Sequence, residues 1–315
     1  MPFVRSVMEL CGNTPVVRLQ RISGNVYLKL ESFNPGKSIK DRPVLEMMEE
    51  AERSGRLRGG MTIVESTSGN TGIAIALYGR KKGYRVRCIV DENIPTEKLK
   101  LMQAYGAEVE MIKSDGHIKN ADLTESRITR VKSLLQESDQ YINFNQYNNE
   151  CNSAAHEKYT AEEILLQAPD DLKAVVLSVG TGGSITGVSR KIKQKRPDIL
   201  IYGVEPSGST LFGGEKGPYL QQGPGNYFKP AVLDYTFIDD HRKVNDLDAF
   251  SMVRQLAQRE GLLMGGSSGG VAHAAIEIAN GLGGQGSVLG VCPDNGGKYL
   301  ETIYSDKWME ANGFK

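Results

Sequence analysis

AVVLSVGTGGSITGVSRKI, residues 174–192, opens with a β-branched run, passes through three closely spaced glycines and continues as an amphipathic stretch with a basic end. That order predicts strand, tight turn, helix. Backbone N–H groups at such a turn stay unpaired, and the helix dipole adds partial positive charge in the same place. Gly180, Gly182 and Gly183 let an anion approach the backbone closely, while Thr181 and Ser184 add hydroxyl donors. The combination predicts a phosphate cup. The plainer explanation of any one such loop is a turn that needs glycine only for its positive φ.

Outward from this segment the same rhythm repeats. NVYLKL (25–30), TIVES (62–66), VRCIV (86–90), AEVEMI (107–112), LIYGVE (200–205) and SVLGVC (287–292) alternate with amphipathic stretches. This is the βαβ pattern of an α/β protein, a parallel sheet covered by helices, and glycine-rich turns fall at strand C-termini, where ligands gather in open sheets. TIVESTSGNTGIAIAL (62–77) repeats the strand-turn-helix layout with Thr67, Ser68, Asn70 and Thr71 as donors, suited to a second anion such as a substrate carboxylate. An ordinary helix N-cap would account for Ser68 or Asn70 alone, not for all four. MGGSSGGVAHAAIEIA (264–279) places Ser267 and Ser268 between glycines ahead of a third helix. Three such loops imply a ligand with several polar groups.

At 315 residues the chain exceeds the usual size of one hydrophobic core, so two domains are expected. YINFNQYNNECN (141–152) replaces periodicity with polar turn-formers and marks a domain junction. SGSTLFGGEKGPYLQQGPGNYFKP (207–230) is too rich in Gly and Pro for a regular element and too long for a passive turn, which predicts a lid or an active-site wall. Lys+Arg and Asp+Glu both total 38, so net charge gives no basis for nucleic-acid binding. The segment MPFVRSVMELCGNTP (1–15) has no apolar run of signal-peptide length, and nothing approaches a membrane span of about 20 apolar residues. A cytoplasmic protein without membrane contact is expected. Cys11, Cys88, Cys151 and Cys292 are scattered without metal-ligand spacing, so no metal and no disulfide framework are expected.

A dinucleotide-binding oxidoreductase is the rival from another cofactor class, but its G-x-G-x-x-G fingerprint fails: counting from Gly180, the sixth position is Ile185. Lys40 lies in ESFNPGKSIKDRP (31–43), after an Asn-Pro-Gly turn. On local sequence alone it reads as a solvated surface charge.

Taken together, NPGKSIKDRP, ESTSGNTGIAIA, NFNQYNN, VGTGGSITGVSR, GGSSGG and CPDNGGKYL resemble, in order and over nearly the whole chain, the cysteine synthase and cystathionine β-synthase family of pyridoxal-5′-phosphate (PLP) enzymes. The resemblance implies a fold type II, tryptophan synthase β-like protein, with two open twisted sheets, flanking helices and PLP in the cleft between domains. It further implies a smaller domain over 40–145, a larger one over 1–39 and 146–315, and a homodimer. Lys40 matches the Schiff-base lysine of an S-x-K-D-R motif, and Gly180, Thr181, Gly182, Gly183 and Ser184 match the PLP phosphate loop. Asn70 matches the partner of the PLP 3′-oxygen, and Ser267 the partner of the pyridine nitrogen. Thr67, Ser68, Thr71 and Gln146, with Asn70 beside them, match the groups around the substrate carboxylate.

The implied reaction is β-replacement on an O-activated L-serine through an aminoacrylate, with amino acid substrates. Lys40 would serve twice, as attachment point and as the base beside Cα. A neutral Ser267 would favour elimination and addition over transamination. ESTSGN, SRITRV, NQYNNE and GGKYLETIYSDKW are similar to a siderophore-pathway branch that joins O-phosphoserine to the amine of glutamate, giving a diaminopropionate precursor. On that similarity Arg127 and Tyr147 are expected to assist at the phosphate side, Arg127 otherwise being an exposed helix residue. O-acetylserine as donor, and sulfide or homocysteine as acceptor, remain alternatives. Two departures bear on specificity. Lys37 stands where the family has a small residue, as a solvated turn residue or as positive charge at the mouth of the site. Asn226 and Tyr227 replace small residues in the lid, which is expected to give the entry wall polar groups. Outside the enzyme class stands a catalytically silent binder of PLP or an amino acid, against which the joint presence of Lys40, the phosphate loop and Ser267 argues.

Overall fold

The computed structural model describes residues 3–67, 69–92, 94–113 and 120–314. β1 (Val16–Arg18) pairs antiparallel with β2 (Val26–Leu30), and a loop leads to α1 (Asp41–Arg53). Next come β3 (Thr62–Ser66), α2 (Asn70–Lys81), β4 (Arg85–Asp91), α3 (Thr96–Ala104), β5 (Glu108–Ile112), α4 (Asn120–Glu137) and β6 (Tyr141–Ile142). These strands form a parallel four-stranded sheet in the order β5-β4-β3-β6. After α5 (Cys151–Ala155), a π-helical turn and α6 (Ala161–Gln167), the chain builds β7 (Leu172–Ser178), α7 (Gly183–Lys195), β8 (Leu200–Pro206) and β9 (Asp240–Val244). It finishes with α8 (Asp246–Gln255), α9 (Gly266–Gly281), β10 (Ser287–Cys292) and α10 (Asp306–Ala311). The second sheet has six strands in the order β1-β2-β10-β7-β8-β9, parallel except at β1. This is the expected α/β class, two open sheets flanked by helices.

The central strands of both sheets are buried on both faces, which is why they read as almost continuous apolar runs. Along β7, Ala174 and Val176 join Val271 and Ala275 of α9 in one cluster, while Val175 and Leu177 join Ile185 and Val188 of α7 in another. Residues of alternate parity thus serve opposite faces. In the smaller sheet Ile63, Val86 and Val90 pack with Ile73 of α2, and Val64 and Ile89 pack with Val131 and Leu134 of α4. Residues 207–239, between β8 and β9, form no regular element, as the Gly/Pro content of 207–230 predicts.

A buried ionic network holds the start of α1 against the large sheet. Arg42 forks onto Glu31 at 2.7 and 2.8 Å, and its other edge meets both oxygens of Glu163 on α6 at 2.7 and 2.8 Å. Lys29 of β2 completes the network at 2.7 Å from Glu163. Burial opposes the charge on Glu31, but Arg42 overrides it and keeps this carboxyl below its ordinary range. Replacing one partner would leave the others buried and uncompensated. Arg42→Met should therefore lower unfolding free energy by about 3–5 kcal/mol, with Arg42→Lys recovering only part because it lacks the planar fork. Urea unfolding followed by circular dichroism checks this; a loss below about 1 kcal/mol would mean the network carries little.

Candidate active site

The C-terminal ends of β3, β4 and β7 open onto a cavity of about 400 Å3 that is also lined by Arg127, Gln146, Tyr147 and the long loop at 219–226. A smaller chamber of about 50 Å3 adjoins it, lined by Gly182, Ser184, Ser267 and Pro293. Lys40, Asn70, Gly180 and Thr181 border both. Parallel strands make this place: each ends where its connecting helix begins, so backbone donors from several loops converge.

Lys40 is the N-cap of α1. Its Nζ has no hydrogen bond or ion pair among the described residues, and burial pushes the amine down to about 8. The three buried lysines among the described residues differ, since Lys29 is ion-paired, Lys98 donates to Gln222 and Lys298 donates to three oxygens. An unpartnered amine near neutrality is a usable nucleophile or base.

The loop after β7 is shaped by close packing. Gly182 takes φ 87°, and a Cβ at Gly180 or Gly183 would collide with the Gly223 carbonyl oxygen or the Asn152 side chain. Asn152 donates from Nδ2 to the Gln146 carbonyl at 2.7 Å and to Thr181 Oγ1 at 3.1 Å, which ties this loop to the 146 turn. α7 then starts without a side-chain cap, and the N–H groups of Ser184 and Ile185 have no acceptor among the described residues. Such an arrangement suits an anion. Gly183 itself lines neither chamber and serves the packing.

Thr67, Asn70, Thr71 and Gln146 all line the larger chamber. Thr67 Oγ1 accepts from the N–H groups of Gly69 and Gly72 at 3.2 and 3.3 Å, and Thr71 donates to Gln146 Oε1 at 2.8 Å. Ser68 lies outside the described residues. Ser267 is buried at the start of α9 on the wall of the smaller chamber, and its hydroxyl has no partner among the described residues. Arg127 is not the exposed helix residue of the simpler reading: it is buried, and its Nε pairs with Asp91 at 3.1 Å. Tyr147 stands beside it on the chamber wall, with its ring edge-on to Phe228.

The lid departs from expectation. Asn226 lines the large chamber, but its amide donates to the Gly180 carbonyl at 2.9 Å, while Tyr227 borders neither chamber and donates to the Gly217 carbonyl. Lys37 also lies outside both chambers, exposed and at φ 60°. Sequence reasoning missed Asp91, Lys98, Tyr219 and Gln222, all of which line the large chamber. Lys98 donates to Gln222 Oε1 at 2.6 Å and lies over the Tyr299 ring, and burial pushes its amine down to about 8. In TEKLK it is one charge among several on a helix, with no local signal.

The chain belongs to the family of pyridoxal-phosphate dependent enzymes, whose model matches residues 7–294. It is 41% identical to cystathionine β-synthase of Mus musculus, over 98% of this chain and 56% of that protein, so it spans somewhat over half that relative's length. It is 40% identical to cysteine synthase of Staphylococcus aureus, over 96% of this chain and 97% of the other. A crystal structure of O-ureido-L-serine synthase superposes with a TM-score of 0.88 at 35% identity, over 98% of this chain and 100% of that one. The donor set fits the family's cofactor: unpaired N–H groups for a phosphate, a free buried amine, and a neutral hydroxyl in the adjoining chamber.

With Lys40 at about 8, roughly one tenth of its amine is neutral at pH 7 and about half at pH 8. Capture of pyridoxal phosphate by cofactor-free protein, followed by absorbance, should accelerate across this interval and level off above about pH 9. A rate that keeps rising to about pH 10.5 would show an ordinary solvated lysine.

Proposed function

We propose that the protein catalyses β-replacement on an O-activated L-serine, with PLP held on Lys40. The observation that carries this reading is the unpartnered Lys40 amine at the border of two chambers, one suited to a phosphate and one walled by hydroxyl and amide groups. Gly180, Thr181, Gly182 and Ser184 would hold the phosphate with the α7 N-terminus, Gly183 supporting the loop. Ser267 would face the ring nitrogen and Asn70 the 3′-oxygen. When bound, the cofactor supplies an electron sink conjugated to the substrate Cα.

The remaining chemistry falls to the chain. Thr67, Ser68, Thr71 and Gln146 orient the substrate carboxylate through backbone and side-chain donors. The Lys40 amine, neutral in a useful fraction, takes the Cα proton and later returns one. Ser267, a neutral hydroxyl, would favour an uncharged ring nitrogen. Residues 219–226 of the long loop form one wall of the cavity. We take 40–145 as a smaller unit set against 1–39 and 146–315, and a homodimer as the assembly, on the strength of the family resemblance.

For the donor we favour O-phosphoserine, with Arg127 and Tyr147 on the leaving-group side. The Asp91 pair holds the Arg127 guanidinium rigidly at the chamber wall, where it suits a dianion. For the acceptor we favour an amino acid amine such as glutamate, giving a diaminopropionate precursor. Lys98 and Arg127 on the cavity wall suit an acceptor that carries carboxylates. Asn226, tied to Gly180, supports that wall's shape rather than offering a free amide.

Incubation with O-phosphoserine or O-acetylserine and with sulfide, homocysteine or glutamate, with products identified by mass, tests the assignment; cysteine formation without any glutamate adduct would reject the amine acceptor. Arg127→Lys should lower kcat/KM for O-phosphoserine by about tenfold to a hundredfold, a loss of roughly 1.5–3 kcal/mol, and more than for O-acetylserine. Equal losses with both donors would remove the phosphate role. Ser267→Asp should protonate the ring nitrogen and slow β-replacement, whereas unchanged turnover would refute the electronic role given to Ser267.

A further inference from the structure

Asn70 stands on the wall common to both chambers, and its two neighbours leave no choice in how its amide points. The Lys298 ammonium donates to its Oδ1 at 2.7 Å, and its Nδ2 donates to Asp294 Oδ2 at 2.8 Å. Tyr299 donates to the same Asp294 oxygen at 2.7 Å. An ammonium has no acceptor and a carboxylate oxygen engaged by two donors offers no proton, so the ends of the amide cannot be exchanged. One N–H of Nδ2 is left without an acceptor among the described residues, on a side chain that shares both chambers with Lys40.

Lys298 is 4% exposed. Its other donations go to the carbonyls of Gly36 at 3.3 Å and Lys37 at 3.0 Å, in the turn that leads to Lys40. No carboxylate lies within ion-pair distance of it among the described residues; Asp294, Asp41, Lys37 and Lys98 are the charged groups around it. A buried ammonium bonded only to neutral oxygens projects its field into the adjoining space.

We propose that Lys298 is a positioning residue that locks Asn70 with one amide N–H presented to the cofactor's ring oxygen and favours the ionised form of that oxygen. This rests on the reading of Lys40 as the cofactor's attachment point. It also gives the CPDNGGKYL segment (292–300) a task distinct from packing: Asp294 and Lys298 grip opposite ends of one amide, and Lys298 binds the Lys40 turn at the same time.

The test uses holoprotein of the wild type, Lys298→Met and Lys298→Gln, compared at one fixed pH by cofactor absorption, cofactor affinity and thermal unfolding with and without PLP. Lys298→Met should shift absorption from the visible band of the ionised ring oxygen toward the near-ultraviolet band, and weaken cofactor affinity about tenfold, which corresponds to about 1.4 kcal/mol. Lys298→Gln, which keeps a donor but removes the charge, should recover most of the affinity while retaining the spectral shift, and it remains informative if the Met variant does not fold. A wild-type spectrum and affinity in both variants would overturn the proposal. So would equal destabilisation of the apo and holo forms with the spectrum unchanged, the mark of a merely structural lysine. Wild-type protein that takes up no PLP would instead overturn the parent reading of Lys40, and this inference with it.

Discussion

The Asp41 carboxylate fixes the turn on which the site depends. One oxygen takes the Gly36 N–H at 2.6 Å and the Tyr78 hydroxyl at 2.8 Å, so residues 36–41 close on themselves beneath α2. Burial pushes this acid up to about 6 although both partners favour its charge. A Cβ at Gly36 would strike the same carboxylate, which leaves only glycine for that position. From this closed turn, Ile39 N–H reaches the Pro293 carbonyl at 2.8 Å, Ser38 bridges to Asp294, and Arg42 enters its ionic network. Lys40 is therefore held from three sides by its neighbours while its own amine stays free.

That arrangement solves a conflict built into such sites. A lysine buried without a counter-ion is destabilised in its charged form, and this same destabilisation makes the amine reactive near neutral pH. The surrounding structure supplies compensation at Arg42, Glu31, Glu163 and Lys29, where every charge has a partner. The anion-binding side works by a related division. Gly180, Gly182 and Gly183 let the loop pack against Gly223, Leu233 and Asn152, and the N–H groups of Ser184 and Ile185 at the start of α7 meet no acceptor among the described residues.

Much of this was legible in the sequence because it rests on local pattern. The seven strands quoted from β-branched runs all form, with ends displaced by a residue or two; the central ones are buried on both faces and so apolar throughout, while β5 is an edge strand that keeps Glu108 and Glu110. Three strands escaped notice: β1 is three residues long, β6 two, and β9 reads DHRKV because it is an edge strand whose side chains need not be apolar. The glycine loops were visible as strand-turn-helix junctions, whereas Lys40 was visible only through resemblance, its local context being that of any charged turn. Lys98, Tyr219, Gln222 and Lys298 acquire their positions through tertiary packing, and no spacing in the chain announces them. Asn226 shows the converse, since its polarity is evident in sequence but its commitment to the Gly180 carbonyl is not.

The central claim is that one lysine carries the cofactor. Borohydride reduction of the purified protein saturated with PLP, followed by peptide mapping and mass spectrometry, should place a single added pyridoxyl phosphate on the peptide containing Lys40. Label on Lys98 or Lys298, or none on any lysine, would contradict the account.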